Sequence, residues 1–281
     1  MKVLVVGNTS TIAGAVAQRI REFSEVKFAG RNGADFALDL ALPASLPRIS
    51  ERFDLVVSAA ADFGGNSPDD FIRAEIVNSA GALAVCALAE QVGAGRVVLI
   101  SSVFASYSRN DPYYGIYALS KRHGEEAAAL FCSERGLQLT TLRPTQVYDA
   151  EGACRRHQEL LYAIADKAQA GQDIGLYGSN DARRNYLFLD DLAEICSRVI
   201  HQGITGTFTV AHPNDVTLSD VAGAAFGAFG QGGAIRLLPD QPDIPDLPVQ
   251  EPSDLYELID YRPAIDIRKG MQAIAQHRSQ T

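Results

Sequence analysis

Short apolar runs alternate with helical segments through the first 150 residues, and this alternation constrains the fold more than any other feature of the chain. Val3–Val6 is a continuous apolar run, as a strand buried on both faces requires. A loop of small residues leads from it into Ile12–Phe23, where Ile12, Val16, Ile20 and Phe23 recur at helical spacing. Further strands are read at Val26–Ala29, Phe36–Leu38, Leu55–Val57, Val97–Ile100 and Leu137–Leu142. Helices are read at Asp69–Gln91, with Ile72, Ile76, Leu83 and Ala87 on one face, and at Tyr117–Arg135. Strands alternating with helices pair in parallel through right-handed crossovers. The predicted architecture is an α/β doubly wound parallel sheet, which takes its ligand at the carboxyl ends of its strands.

After about residue 150 the pattern loosens. A basic helix is read at Arg155–Ala170, strands at Ile174–Tyr177 and Tyr186–Leu189, and a helix at Asp190–His201 with Asp190 as its N-cap. Residues 239–252, rich in Pro and Asp, read as an extended surface loop. The expected organisation is a first domain at 1–150, completed by parts of 185–212, and a smaller C-terminal α/β lobe at 151–281.

A formal net charge of −9 argues against a nucleic-acid binder, since neutralising phosphates needs a basic face. The four cysteines, at 86, 132, 154 and 196, are too scattered for a Cys-x-x-Cys site, and the histidines offer no zinc spacing. No metal is expected, and buried free thiols in a reducing cytoplasm are. Met1–Val6 is too short for a signal-peptide core, and the apolar run Ala80–Ala89 falls far below the ~20 residues that span a bilayer, so no membrane partner is expected.

The loop after the first strand, Gly7-Asn8-Thr9-Ser10-Thr11-Ile12-Ala13-Gly14, has the character of a phosphate cradle. Gly7 allows a tight turn, small residues at 10 and 13 allow close backbone approach, and the helix N-terminus faces an anion. Of a G-x-x-G-x-x-G pattern only the first glycine is present, with Ser10 and Ala13 in the other places. Arg31, at the end of the second strand and 24 residues after Gly7, stands where a dinucleotide site discriminates the ribose 2′ substituent. An Arg there suits the 2′-phosphate of NADP; NAD is the other candidate, and Asp35 stands nearby.

Tyr117 and Lys121 lie four residues apart, on one face of a helix. A cationic amine beside a phenol is expected to lower its pKa and tune it as a general acid/base for a carbonyl or alcohol oxygen. Ser101 and Ser102 end the Val97–Ile100 strand, where a hydroxyl can hydrogen-bond the same oxygen. Ser102, the last Ser before the chain turns away, is assigned that role, with Ser101 and Val103 as the neighbouring registers.

These motifs in this order resemble the extended short-chain dehydrogenase/reductase family, in its NAD(P)-dependent epimerase/dehydratase branch. The resemblance extends to Asp39-Leu40, Ala59–Ala61, Val77-Asn78, the segment Leu142-Arg143-Pro144-Thr145-Gln146-Val147-Tyr148, Gly178, Arg184-Asn185-Tyr186, Asp190-Asp191 and Tyr261-Arg262-Pro263. It implies a Rossmann-type sheet with a substrate-binding lobe. It implies cofactor contacts from Gly7, Thr9, Ser10, Thr11, Ile12, Arg31, Asp39, Leu40, Ala59, Ala60, Ala61, Asn78, Ser101, Tyr117, Lys121 and Pro144. Tyr117 is then the acid/base, Lys121 orients it, and Ser102 steadies the reacting oxygen. Ser102, Val103, Gln146 and Arg184 are the implied substrate contacts, the last two facing the diphosphate of a nucleotide sugar; Gln146 replaces the family's usual Asn. A guanidinium fork suits phosphate independently of the resemblance. The family also suggests a homodimer through the helices at 69–91 and 117–135.

A 4,6-dehydratase would carry carboxylates just after its Ser; Val103-Phe104 stand there instead. His123, His157 and His201 have no motif around them. Two readings lead: NADPH-dependent reduction of a 4-keto nucleotide sugar, and 4-epimerisation with tightly held NAD. A non-sugar carbonyl reductase is a third, and a non-catalytic NADP(H)-binding protein is the reading of another class.

Overall fold

The computed structural model describes residues 1–43, 46–247 and 254–280. Its elements run β1 (Lys2–Val6), α1 (Thr11–Ile20), β2 (Glu25–Gly30), β3 (Phe36–Ala37), β4 (Leu55–Ser58), α2 (Pro68–Ala74), α3 (Gly81–Gln91), β5 (Arg96–Ile100), α4 (Ile116–Arg135), β6 (Gln138–Pro144) and β7 (Gln146–Tyr148). There follow α5 (Glu159–Gln169), β8 (Ile174–Tyr177), β9 (Arg183–Arg184), β10 (Tyr186–Phe188), α6 (Leu189–Gln202), β11 (Gly206–Val210), β12 (Val216–Thr217), α7 (Leu218–Phe229), β13 (Ile235–Leu238), α8 (Leu255–Leu258) and α9 (Ile267–Gln280). The chain divides into two compact units. The first comprises Met1–Pro144, Ala193–Thr209 and Ser253–Ile259, and the second Thr145–Leu192, Val210–Pro252 and Asp260–Thr281.

The first unit is built on a seven-stranded sheet in the order β11-β6-β5-β4-β1-β2-β3. β1 pairs in parallel with β2 on one side and β4 on the other, as the alternation of strands and helices predicts. Val3–Val6 and Leu55–Val57 are buried, which is why these strands are apolar at every position rather than at alternate ones. The chain leaves β1 toward β2 and β3, then returns to β4 on the opposite side. The strand order therefore reverses at the carboxyl ends of β1 and β4, beside Gly7 and Ala59, and such a reversal opens a crevice.

The helix expected at Asp69–Gln91 is continuous from Pro68 to Gln91 but contains a π turn at Glu75–Ala80. Ser67 and Asp70 start it with a capping box, and Pro68 suits the first turn. By length and composition it could cross a membrane. Here Ala74, Ala84, Val85, Leu88 and Ala89 on it are buried in the fold. All four cysteines are buried free thiols; Cys86 on α3 and Cys132 on α4 place their sulfurs 3.7 Å apart. Among the described residues no group of three His, Cys, Asp or Glu side chains could hold a metal ion.

Several boundaries differ from the sequence reading. α1 ends at Ile20, and Phe23 lies beyond it, its ring edge-on to His201. The helix expected from Arg155 starts at Glu159, because Asp149 holds the preceding turn by accepting from the Ala153 and Cys154 amides at 3.0 and 2.7 Å. Arg155 lies in a short 3₁₀ turn and reaches Asp166 instead. Leu189 belongs to α6 rather than to a strand, so Asp190 is inside the first turn and is not the N-cap. Its neighbour Asp191 fixes this register, accepting from the Tyr261 hydroxyl (2.6 Å) and the Ala264 and Ile265 amides. The Pro/Asp-rich segment is irregular through Leu247, and residues 248–252 lie outside the described residues. Asp243 and Asp246 tie it down through the Ser179 and Arg183 amides, both within the second unit.

Candidate active site

The turn after β1 is set by Gly7, whose φ of +102° disfavours any L side chain. A Cβ there would stand 3.1 Å from the Ala60 amide, so the glycine also permits the close approach of the turns after β1 and β4. Ser10 caps α1, its Oγ accepting from the Ala13 amide at 3.3 Å, and Ala13 is buried under the helix. Thr11 and Ile12 begin the helix, where its positive end meets the carboxyl edge of the sheet. Asn8 was not singled out in the sequence. Its amide donates to the Asn32 carbonyl, and its side chain fills the space over Gly30, joining the loops after β1 and β2. Arg31 is exposed on that joined rim, while the Asp35 carboxylate accepts from the Phe28 amide at 2.7 Å.

Asp39 closes a turn by accepting from the Ala41 amide, and Leu40 is buried against Gly81. Ala59 is buried, Ala60 half-buried and Ala61 exposed, in chain order away from the sheet. Asn78, inside the π turn, ties three segments together. It donates to the Asp62 carbonyl (2.7 Å) and the Ser120 hydroxyl (2.9 Å), and accepts from the Asp62 amide (2.9 Å). A cleft in the first unit is lined by Leu40, Ala60, Asn78, Ser101, Lys121 and Glu125, among others.

α4 carries Tyr117 and Lys121 one turn apart. The Lys121 ammonium is buried and donates to the Ala60 and Ile100 carbonyls at 3.3 and 3.4 Å. Burial pushes its pKa down to about 8, with the Glu125 carboxylate pulling the other way. Burial pushes the Tyr117 phenol up to about 12, with the Ser102 hydroxyl pulling the other way. The sequence expectation of a lowered phenol is thus corrected: desolvation outweighs the pull of Ser102, and the lysine is held on two main-chain carbonyls. Ser102 caps the short 3₁₀ turn Val103–Ser106, its hydroxyl accepting from the Phe104 amide at 3.3 Å, and Val103 within that turn is buried. The Ser101 hydroxyl is buried without a hydrogen-bond partner.

Pro144 is the buried last residue of β6. Arg143 beside it pairs with Glu125, its Nε 3.0 Å from Oε2, and so is structural. Gln146 and Arg184 lie in the second unit. Gln146 donates to Gln158 at 3.1 Å, and its buried Oε1 lacks a partner. Arg184 is buried, its Nη1 donating to the Arg183 and Pro245 carbonyls, both at 2.8 Å. Sequence reasoning missed Phe63, which stacks on Tyr117, and Glu125. The latter was legible as an acid one turn beyond Lys121 on the same helix face.

The first unit's edge fits a dinucleotide on its own geometry. A glycine turn that a Cβ would crowd, a helix start, a buried lysine and an orphaned serine hydroxyl share one strand-end crevice.

Comparison with known proteins agrees with this geometry. The profile of the "NAD dependent epimerase/dehydratase family" matches residues 3–211. A dTDP-4-dehydro-6-deoxy-D-allose reductase from a Streptomyces species is 27% identical over 161 residues, 57% of this chain and 49% of the relative. The match thus spans about half of that relative's length. Among solved structures, the UDP-N-acetylglucosamine 4-epimerase of Bacillus cereus superposes with a TM-score of 0.80 at 18% identity, covering 100% of this chain and 97% of its own. RMD from Pseudomonas aeruginosa, complexed with NADPH, gives a TM-score of 0.79 at 16% identity, covering 100% and 99%. A match of this extent, on a doubly wound sheet that carries the Ser-Tyr-Lys set at its strand ends, places the chain in the NAD-dependent epimerase/dehydratase family of enzymes.

Proposed function

We propose that this enzyme reduces the 4-keto group of a nucleotide-linked sugar with NADPH. The observation that carries the reading is the buried Lys121 ammonium, one helical turn from Tyr117 on α4 and held on the Ala60 and Ile100 carbonyls at the strand ends that Ser101 and Ser102 follow. When bound, the nicotinamide supplies the hydride. The Tyr117 phenol is protonated at neutral pH and stands as the proton donor. It gives its proton to the sugar oxygen as that oxygen gains the carbonyl electron pair, and Ser102 hydrogen-bonds the same oxygen. Lys121 holds the site positive, which favours transient charge on Tyr117.

In this reading the first unit is the cofactor domain and the second the substrate lobe. Gly7 to Ile12 take the pyrophosphate, and Asp39 and Leu40 the adenine side. Ala59–Ala61, Asn78, Ser101 and Pro144 line the path to the nicotinamide, and Lys121 meets its ribose. Arg31 takes the 2′-phosphate, and the engagement of Asp35 by Phe28 supports NADP over NAD. Gln146 and Arg184 meet the substrate diphosphate; a buried guanidinium held by two carbonyls is a pre-oriented cation. Val103 backs Ser102. The exposed Phe71, Ile72 and Leu83 on α2 and α3, with Leu130 on α4, support a homodimer through those helices. Four buried thiols support a reducing, cytoplasmic setting.

The test begins with the purified protein: any carried cofactor is released and identified, and NADPH and NADH are titrated by fluorescence. Cofactor-free protein that prefers NADPH supports the reductase. Stoichiometric NAD carried through purification overturns it in favour of a 4-epimerase. Tyr117→Phe should abolish turnover and keep cofactor affinity; a non-catalytic binder would be unaffected.

A further inference from the structure

One loop holds both members of the Tyr117–Lys121 pair. It follows β4 and includes Ala60 to Gly64. The Ala60 carbonyl accepts from the Lys121 ammonium at 3.3 Å. Three residues on, the Phe63 ring lies flat on the Tyr117 ring, centroids 4.8 Å apart and planes 12° apart, although Phe63 itself is 47% exposed. The loop is pinned through Asp62. Asn78 accepts from the Asp62 amide at 2.9 Å and donates to its carbonyl at 2.7 Å. The Asp62 carboxylate accepts from Arg73 at 2.6 Å and from the Gly64 amide at 2.8 Å. Gly64, with φ of +71°, then lets the chain pass close over the start of α4: a Cβ there would stand 2.5 Å from the Ile116 side chain.

A ring held this way acts on Tyr117 in two respects. Stacked aromatic rings attract beyond their contact area, so the plane of the phenol is fixed, and Phe104 meets the same ring edge-on at 6.1 Å from the turn after β5. The stack also keeps water from one face of the phenol, which disfavours its charged form. A phenol open to water spends its proton on a solvent hydrogen bond; a covered one keeps it for the oxygen it must protonate. The charged and titratable groups around the ring have other partners. Lys121 sits on two main-chain carbonyls, Asp62 is paired with Arg73, Arg122 donates to the Ala105 and Tyr107 carbonyls, and Tyr113 packs on Phe104 at 6.4 Å. Resting on the reading that Tyr117 is the proton donor, we propose that Phe63 is its positioning residue, holding the plane of the Tyr117 ring and keeping water from it. Phe63 thereby supplies part of the burial that raises the phenol above its ordinary value.

The first measurement needs neither cofactor nor substrate. Protein carrying ring-¹³C tyrosine is titrated by NMR as wild type, Phe63→Ala, Phe63→Leu and Phe63→Trp, with Tyr117→Phe identifying the Tyr117 resonance and thermal melts confirming folding. With the phenol raised from 10.0 to about 12, about one Tyr117 in a hundred should be ionised in wild type at pH 10.0. Phe63→Ala should raise that fraction about tenfold. Phe63→Trp, which keeps a flat apolar face, should restore it, and Phe63→Leu, apolar without a flat face, should fall between and carries the comparison if Phe63→Ala does not fold. The second measurement is reduction of dTDP- and UDP-linked 4-keto sugars with NADPH. Phe63→Ala should lower kcat by about 10-fold, with a smaller change in KM, and Phe63→Trp should recover most of the loss. An unchanged ionised fraction, or an unchanged kcat, overturns the proposal. Wild type that turns over none of these sugars overturns the reductase reading, while the titration still decides whether Phe63 shields Tyr117.

Discussion

A Cβ on Gly124 would stand 2.2 Å from the carbonyl oxygen of Asn78. The π turn on one helix and the bare backbone of α4 therefore fit together, and the Asn78–Ser120 hydrogen bond pins the contact one turn earlier on α4. Gly124→Ala must push the helices apart. A loss of about 1–3 kcal/mol is expected from overpacking, read as a fall in denaturation midpoint. Cofactor affinity should fall with it, because Asn78 and Lys121 line the same cleft.

The cofactor-free protein should show an unusual alkaline stability profile. Lys121 falls from 10.5 to about 8 on folding. Between those values the unfolded chain holds a proton that the folded chain has released, so stability rises with pH. Tyr117 climbs from 10.0 to about 12. There the unfolded chain loses its proton first, so stability falls across that upper window. Lys121→Met should remove the first limb, raise stability near neutral pH by about 3 kcal/mol and abolish turnover. Chemical denaturation across the pH range reads both limbs and the stability gain, and an activity assay reads the loss of turnover.

What was legible in the sequence followed from periodicity. Val3–Val6 and Leu55–Val57 had to be buried on both faces, which fixed a parallel sheet, and the Tyr117–Lys121 spacing fixed one face of α4. What was not legible came from contacts between distant segments. The π turn at Asn78 answers to Gly124, 46 positions away, and Asn8 fills space over Gly30 on another strand. The start of α5 was displaced by Asp149, a turn-holder that lies outside the helical pattern. The phenol's raised pKa depends on burial that a spacing rule does not contain. α7 does not follow from the strand–helix alternation, although Thr217 and Asp220 form a capping box at its start, a signal present in the sequence.

Arg31 offers a separable test of cofactor choice. It is exposed, so its removal should leave folding intact. Charged hydrogen bonds to a phosphate are worth about 1.5–3 kcal/mol. Arg31→Ala should therefore weaken NADPH binding by roughly 10- to 100-fold while NADH binding changes little, as read by fluorescence titration. Equal loss for both cofactors would remove the 2′-phosphate assignment.

Glu125, which pulls the Lys121 pKa upward, is itself paired with Arg143. The carboxylate raises the lysine's pKa, and the arginine that holds it at 3.0 Å offsets part of that charge. Glu125→Gln should move the alkaline limb of the kcat/KM profile to lower pH, because the buried ammonium loses its supporting charge. Arg143→Met leaves the Glu125 charge unopposed and should move the same limb to higher pH. Both variants break a largely buried pair and should lose stability, by up to about 3–5 kcal/mol. Stability alone therefore does not separate an electrostatic role from a packing role, but the direction of the pH shift does. Movement of both profiles in the same direction, or of neither, would leave the pair as a packing element of α4 and β6 only.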